Sequence, residues 1–266
     1  MIGVTGYKGR LGTELLKFGC VGLDLDITKL SSYNETLSEF ETIIHCAAIT
    51  DVDKCEKELY DKAYLVNDIG TKNLCNKFSG RIIYISTDYI FDGFTGKYGE
   101  HSIANPISVY GHTKLLGEER IKQRQHPNDV IVRTTILYGT PRHSDFVVRV
   151  IKELGLGYSV SLPCNLYGNP TYTHHLAEAL MKLCEITNPP RIINIAGKEI
   201  LSRYEFGLSI ADIFGLDKSK IIPIRETPGE AMRPLKAGLK TNLAEKLGLP
   251  IYSVYDGLKA MRKQYE

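Results

Sequence analysis

The chain has 266 residues, enough for one sizeable α/β domain or a domain with a smaller lobe, and its 43% hydrophobic and 24% charged content is ordinary for a globular protein. A net charge of +2, with basic residues scattered along the chain, offers no track for nucleic acid and no patch for an anionic membrane surface. No apolar run approaches the ~18 residues of a membrane span. The six cysteines form no C-x-x-C pair and read as reduced thiols, and strand-like sequence from Ile2 onward leaves no room for a targeting segment, so a cytoplasmic protein is expected.

Short β-branched runs alternate with helical stretches through the first half, as a parallel sheet wound on both faces requires. Residues 2–5 read as the first strand, 13–18 as the first helix and 20–25 as the second strand. Buried strands follow at 42–46, 81–86 and 130–134. A long helix over 53–77 lies between the first two of these, and another over 108–125 stops before Pro127. The second half is less regular. Helices are expected at 144–154, 175–184, 202–214 (capped by Ser202), 241–247 and 253–264, with strands at 160–163, 191–196 and 221–224. The division that follows is a Rossmann-type domain at 1–140 and 165–197 and a smaller lobe at 141–164 and 198–266.

Gly6-Tyr7-Lys8-Gly9-Arg10-Leu11-Gly12 follows the first strand and opens the first helix. Glycines at this spacing permit a tight turn, close approach of backbone to a pyrophosphate, and close helix packing, while the helix N-terminus favours phosphate. Alone the pattern also describes an ordinary glycine-rich turn; the strand before it and the helix after it supply the context for a dinucleotide. Asp24 is placed to meet a ribose 2′-hydroxyl, favouring NAD, whereas Lys8 and Arg10 suit a 2′-phosphate, favouring NADP. The cofactor is therefore read as NADPH or NADH.

Tyr110 and Lys114, four residues apart, share one helical face. There an ammonium group can favour tyrosinate and draw a phenol's pKa down from about 10. Y-x-x-x-K is common on solvated helices, but Thr87 sits just past a buried strand, at the edge where open α/β sheets bind ligands. Tyr110 is then the general acid for reducing a carbonyl, Lys114 its tuner and the anchor of a nicotinamide ribose, and Thr87 the polarising hydrogen bond. Asp88 and Tyr89 fit substrate contact and local turn structure equally. Asn67, mid-helix, is either a link to the tyrosine or a satisfied helix residue. His45, His174 and His175 have no carboxylate or cysteine company at metal-ligand spacing, so no metal is expected.

These residues carry a family resemblance. The glycine loop, Ala47 to Lys54 (AAITDVDK), Ser86 to Gly93 (STDYIFDG), Tyr110 to Glu118 (YGHTKLLGE), Arg133-Thr134, Gly168 to Tyr172 (GNPTY) and Arg233-Pro234 run nearly the whole chain in order. The chain resembles the extended short-chain dehydrogenases/reductases and, within them, the dTDP-4-dehydrorhamnose reductase family. The resemblance implies a Rossmann fold with a nucleotide-sugar lobe, and hydride transfer from NAD(P)H to a 4-keto-6-deoxy sugar. It puts Thr87, Tyr110 and Lys114 in the roles above. It also puts Gly6, Gly9, Arg10, Leu11, Asp24, Ala47 and Ala48 at the cofactor, and Asp88 and Arg233 at the substrate.

Two departures matter. The family usually carries a tryptophan after the Arg-Thr-Ser that follows its strand; this chain has Ile136 there and no tryptophan, so the sugar pocket gains apolar contact without a broad stacking face. Asp24 and Asp26 are separated by one residue where the family reaches two separate adenosine-contacting strand ends, and one residue cannot hold a turn and a strand. The third strand of the fold lies at the sheet edge and can be lost without breaching the core. A truncated edge is expected, with Asp24 or Asp26 at the adenosine. A nucleotide-sugar 4-ketoreductase, possible as a homodimer, is the leading reading. The alternative is a non-catalytic NAD(P)-binding regulator like the methionine adenosyltransferase beta subunit, which shares this family, because fold does not fix function.

Overall fold

The computed structural model describes residues 1–33, 35–139, 145–226 and 229–264. The chain begins with β1 (Ile2–Thr5), turns into α1 (Arg10–Lys17), and returns as β2 (Val21–Gly22) and β3 (Thr42–His45). Helices α2 (Val52–Cys55), α3 (Tyr60–Ala63) and α4 (Thr71–Lys77) lead to β4 (Arg81–Thr87), and α5 (Val109–Arg124) leads to β5 (Val130–Thr134). Next come β6 (Leu137–Tyr138), α6 (Phe146–Gly155), β7 (Val160–Pro163), β8 (Tyr167–Gly168), β9 (Thr171–Tyr172), α7 (Thr173–Glu185) and β10 (Ile192–Asn194). The chain ends with β11 (Leu201–Ser202), α8 (Arg203–Phe214), β12 (Ile221–Ile224), α9 (Asn242–Lys246) and α10 (Val254–Arg262). The predicted start of the sixth helix at Ser144 lies outside the described residues; Asp145 caps α6, accepting from the amides of Val147 and Val148.

Six strands form one parallel sheet in the order β2-β1-β3-β4-β5-β10. Every residue of β3 and β5 is buried, as expected for a parallel sheet covered on both faces. The order reverses direction at β1 and β3, and the carboxyl ends of these strands form the crevice where such sheets bind ligands. At the far edge β2 has only two residues, and among the described residues no further strand lies outside it. The truncated edge expected from the spacing of Asp24 and Asp26 is present. Leu37 and Phe40, from the turns that replace the lost strand, pack with Ile43, Leu74 and Phe78 and so close that flank of the core.

The predicted helix over 53–77 is broken. α2 stops at Cys55 and turn residues 56–59 intervene. The helical run from Tyr60 to Lys77 is then continuous, but its middle, Tyr64–Gly70, is π-helical. The cause lies in buried side chains. Asn67 donates to the Ile49 carbonyl (3.0 Å) and to Thr113 Oγ1 (2.9 Å) and accepts from the Ile49 amide (2.8 Å). Thr71 Oγ1 donates to the Asn67 carbonyl at 2.7 Å. A wide turn of this kind inside a helix often marks a functional region. Here it fastens the helix to the loop after β3 and to α5, and Asn67 is a satisfied helix residue.

α5 is fixed by a buried charge pair. Glu118 accepts from Arg133 Nη2 (2.7 Å) and Nε (2.9 Å) and from Ser86 Oγ (2.6 Å), joining α5, β5 and β4. Arg133 Nη1 donates to the Glu100 carbonyl (2.9 Å), which holds the loop leading into α5. Removing one member of such a pair leaves a buried charge uncompensated, so the geometry of α5 is tightly determined. A second apolar cluster, including Val147, Leu162, Phe206, Ile210 and Leu258, lies between α6, β7, α8 and α10. β7 and β12 pair in parallel beside it. The cap read from sequence at Ser202 is present as a reciprocal capping box, and Ser253 forms a second one.

Candidate active site

The carboxyl ends of the central strands open into a cavity of about 650 Å³, in the size range of small-molecule sites. One wall is the glycine loop. Gly6 has φ of 65° and lies under Ala47, so a Cβ there would stand 2.7 Å from the Ala47 backbone. A Cβ on Gly12 would stand 2.5 Å from the Gly6 carbonyl oxygen and Tyr7 Cα. Gly9 is the N-cap of α1 and supplies no side-chain cap. The first turn of α1 therefore faces the cavity through Gly9, Arg10 and Leu11 with backbone rather than a capping oxygen, which fits a pyrophosphate.

The other residues read as cofactor-binding divide into two groups. Ala48 lines the cavity, and the Ala47 amide donates to Thr5 Oγ1 at 3.3 Å. Lys8 and Asp24 stand outside the cavity lining, paired with each other at 3.3 Å on the exposed rim past β2. Arg10 does not join them. Its Nη1 donates to the Leu137 carbonyl at 3.0 Å, across the cavity mouth. Asp26 is occupied as a turn residue: it accepts from the Thr28 amide (3.1 Å) and hydroxyl (2.7 Å), bonds that hold its carboxyl below the usual range. Of the two aspartates, Asp24 is the one beside the glycine loop, because Asp26 turns the chain away.

Thr87, Asp88, Tyr89, Tyr110 and Lys114 meet on the opposite wall. Thr87 ends β4, where its hydroxyl accepts from the Tyr89 amide (3.2 Å) and bonds Asp88 Oδ1 (3.2 Å). Ser108 caps α5 through the Gly111 amide and so sets Tyr110 in the first turn, its ring edge-on to Tyr89 with centroids 5.6 Å apart. The Lys114 ammonium lies 4.1 Å over the Tyr84 ring, and the Tyr84 hydroxyl donates to the Lys114 carbonyl. Asp88 is buried and accepts from Thr135 Oγ1 at 2.6 Å; burial pushes its carboxyl up to about 6 against that bond.

One sequence expectation is corrected here. Lys114 does not draw the Tyr110 phenol down. Burial pushes Tyr110 well above the ordinary phenol value, opposed by a hydrogen bond with Thr87, and burial pushes Lys114 down to about 7. Desolvation is the largest cause for both groups because both are enclosed.

Ile136 lines the cavity with φ of 46°, a left-handed conformation that is rare for a β-branched residue, and packs against Gly168. Arg233 lies outside the lining. Its Nη2 donates to Asp53 Oδ2 at 2.6 Å, and Asp53 also accepts from the Glu230 and Ala231 amides, so α2 is clasped to residues 230–233. Sequence reasoning passed over Thr135, Phe146 and Arg203. Thr135 was legible as the next polar residue beyond β5; Phe146 and Arg203 come from helices of the second apolar cluster and had no local signal. His45 is enclosed between Thr5 and Thr71, His174 bonds Glu14, and His175 stacks on Tyr252. Among the described residues no group of three or more histidine, cysteine, aspartate or glutamate side chains could hold a metal ion. Among them, too, no helix is long and apolar enough to cross a membrane.

A parallel sheet with a glycine loop at its switch point, and Thr, Tyr and Lys side chains gathered in one cavity beside it, defines the class of short-chain dehydrogenases and reductases. Within that class the chain belongs to the family of the RmlD substrate binding domain, whose model matches residues 1–266. It is similar to a dTDP-4-dehydrorhamnose reductase of Clostridium acetobutylicum, with 34% identity, TM-score 0.89 and 99% of each chain covered. It is similar also to the Bacillus anthracis dTDP-4-dehydrorhamnose reductase solved with NADP, with 30% identity, TM-score 0.91 and 99% and 98% covered. The methionine adenosyltransferase 2 subunit beta of Danio rerio is 34% identical over 94% of this chain and 85% of that protein.

Proposed function

We propose that the protein reduces the 4-keto group of a nucleotide-linked 4-keto-6-deoxy sugar with NADPH or NADH. The observation that carries this is the meeting of Thr87, Tyr110 and Lys114 in one cavity whose facing wall is the uncapped first turn of α1. Gly6, Gly9, Arg10, Leu11, Ala47 and Ala48 hold the dinucleotide, with Lys8 and Asp24 at its adenosine end. When bound, the reduced nicotinamide supplies a hydride to the carbonyl carbon. Thr87 hydrogen-bonds the carbonyl oxygen. Tyr110, kept fully protonated by burial, donates its proton to that oxygen, and the Lys114 ammonium one turn away favours the phenolate that remains. Asp88, Tyr89 and Ile136 contact the sugar, and Arg233 closes the site through Asp53. The proposed division of labour assigns 1–140 and 165–197 to the cofactor and 141–164 and 198–266 to the nucleotide sugar. A homodimer is part of the proposal, checked by light scattering of the purified chain.

The test is reduced-cofactor oxidation with dTDP- and UDP-linked 4-keto-6-deoxy sugars. Wild type turns over at least one, and Tyr110→Phe keeps cofactor affinity while losing ~10²–10⁴ of the rate. Near-normal turnover by the Phe variant refutes the proton-donor role. The identity to the adenosyltransferase subunit supports a second reading, a cofactor-binding regulator. That reading predicts no oxidation with any sugar and tight binding to a catalytic partner.

A further inference from the structure

We infer that Arg203 receives the diphosphate of the nucleotide-linked substrate, an inference that rests on the reductase reading above. Arg203 is the first residue of α8, directly after the Ser202 cap, and its side chain lines the cavity. Its Nη1 is buried and has no hydrogen-bond partner. The charged groups that reach it are Asp88, attractive, and Arg233, repulsive, both through space. The Asp88 carboxylate is already engaged by the hydroxyls of Thr135 and Thr87. The guanidinium lies 5.7 Å from the centre of the Phe146 ring, within cation–π range.

A guanidinium cannot shed its proton to relieve burial, so a nitrogen enclosed without an acceptor is costly unless a ligand supplies one. The other arginines near the cavity are engaged: Arg233 with Asp53 at 2.6 Å and Arg10 with the Leu137 carbonyl at 3.0 Å. Arg203 instead stands at the cavity wall with its Nη1 unpartnered. Its natural complement is an anion with two oxygens in one plane, and a phosphate matches it bidentately. Two diphosphates enter this cavity in the reductase reading. The cofactor's meets the first turn of α1, on the glycine-loop wall. Arg203 belongs to the wall built by Ile136 and Phe146, which leaves it the substrate's.

The experiment measures binding of dTDP, UDP and thymidine to the NADP-saturated protein by calorimetry, with NADP affinity measured separately. In Arg203→Gln, affinity for whichever diphosphate wild type binds should fall ~10–100-fold, the worth of a charged hydrogen bond. Thymidine and NADP affinities should stay within about twofold. Arg203→Lys, which keeps the charge and loses the fork, should recover part of the loss, and it serves as the test should the Gln variant not fold. Unchanged dTDP and UDP affinity in a variant that still binds NADP overturns the inference. So does an equal loss for thymidine, which signals packing; a loss for NADP instead, which assigns Arg203 to the cofactor; or a wild type that binds neither diphosphate. Turnover is a separate readout. Arg203-dependent binding without cofactor oxidation sinks the reductase and leaves the anion site standing, whereas turnover with binding indifferent to Arg203 does the reverse.

Discussion

Replacing Lys114 with methionine should make the ligand-free protein more stable while removing its activity. The lysine is enclosed between Tyr84 and the cavity, and burial moves its ammonium from 10.5 to about 7. At ~1.4 kcal/mol per pH unit, holding that charge in the folded protein costs ~5 kcal/mol. The sign follows from proton counts. Between about pH 7 and 10.5 the folded protein has released this proton while the unfolded chain keeps it, so wild-type stability rises with pH across that window. Below about pH 7 both states are protonated and the whole penalty applies. Methionine fills nearly the same volume without the charge. Its advantage should therefore be ~5 kcal/mol near pH 6 and shrink to ~2 kcal/mol near pH 9. Urea unfolding followed by circular dichroism at both pH values measures it. A methionine variant no more stable than wild type near pH 6, or an advantage that does not shrink toward pH 9, would refute the reasoning.

Asp88→Asn tests a second buried titratable group of the cavity. Burial raises the carboxyl from 3.8 to about 6, so the folded protein holds a proton that the unfolded chain loses across that window, and wild-type stability falls by ~3 kcal/mol as pH rises through it. The asparagine variant should lack this slope, and its melting-temperature advantage should be larger above about pH 6 than near pH 4; an advantage independent of pH would count against the assignment. Gly12→Ala introduces a Cβ that would lie 2.5 Å from the Gly6 carbonyl oxygen and Tyr7 Cα, which only a shift of the loop can relieve. NADP affinity should drop at least ~10-fold, read by calorimetry, with a smaller loss of melting temperature; unaltered affinity would show that the loop does not shape the cofactor site.

Much of this molecule was legible along the chain because it rests on local chemistry. The β-branched runs at Ile2–Thr5 and Val130–Thr134 became strands over those residues, and Ser202 capped the helix expected of it. Even the missing edge strand could be counted out, since the single residue between Asp24 and Asp26 leaves no length for it. The glycine loop and the Thr87, Tyr110 and Lys114 trio were nameable as residue types at fixed spacings beside strands.

What required the fold was everything set by enclosure or by partners far away in sequence. The π-helical turn over Tyr64–Gly70 depends on Asn67 reaching Ile49 and Thr113. Asp26 and Arg233, both candidates for ligand contact, are occupied by Thr28 and Asp53. Arg203 enters the cavity from α8, far along the chain from the catalytic residues. The relation between Tyr110 and Lys114 changed most. Their spacing alone suggests an ammonium lowering a phenol's pKa, yet with both groups buried, desolvation raises one and lowers the other. Sequence determines which groups can exchange a proton here, because side-chain chemistry and helical spacing are local; tertiary structure decides their charge states, because solvent is excluded only by residues brought together from the whole chain.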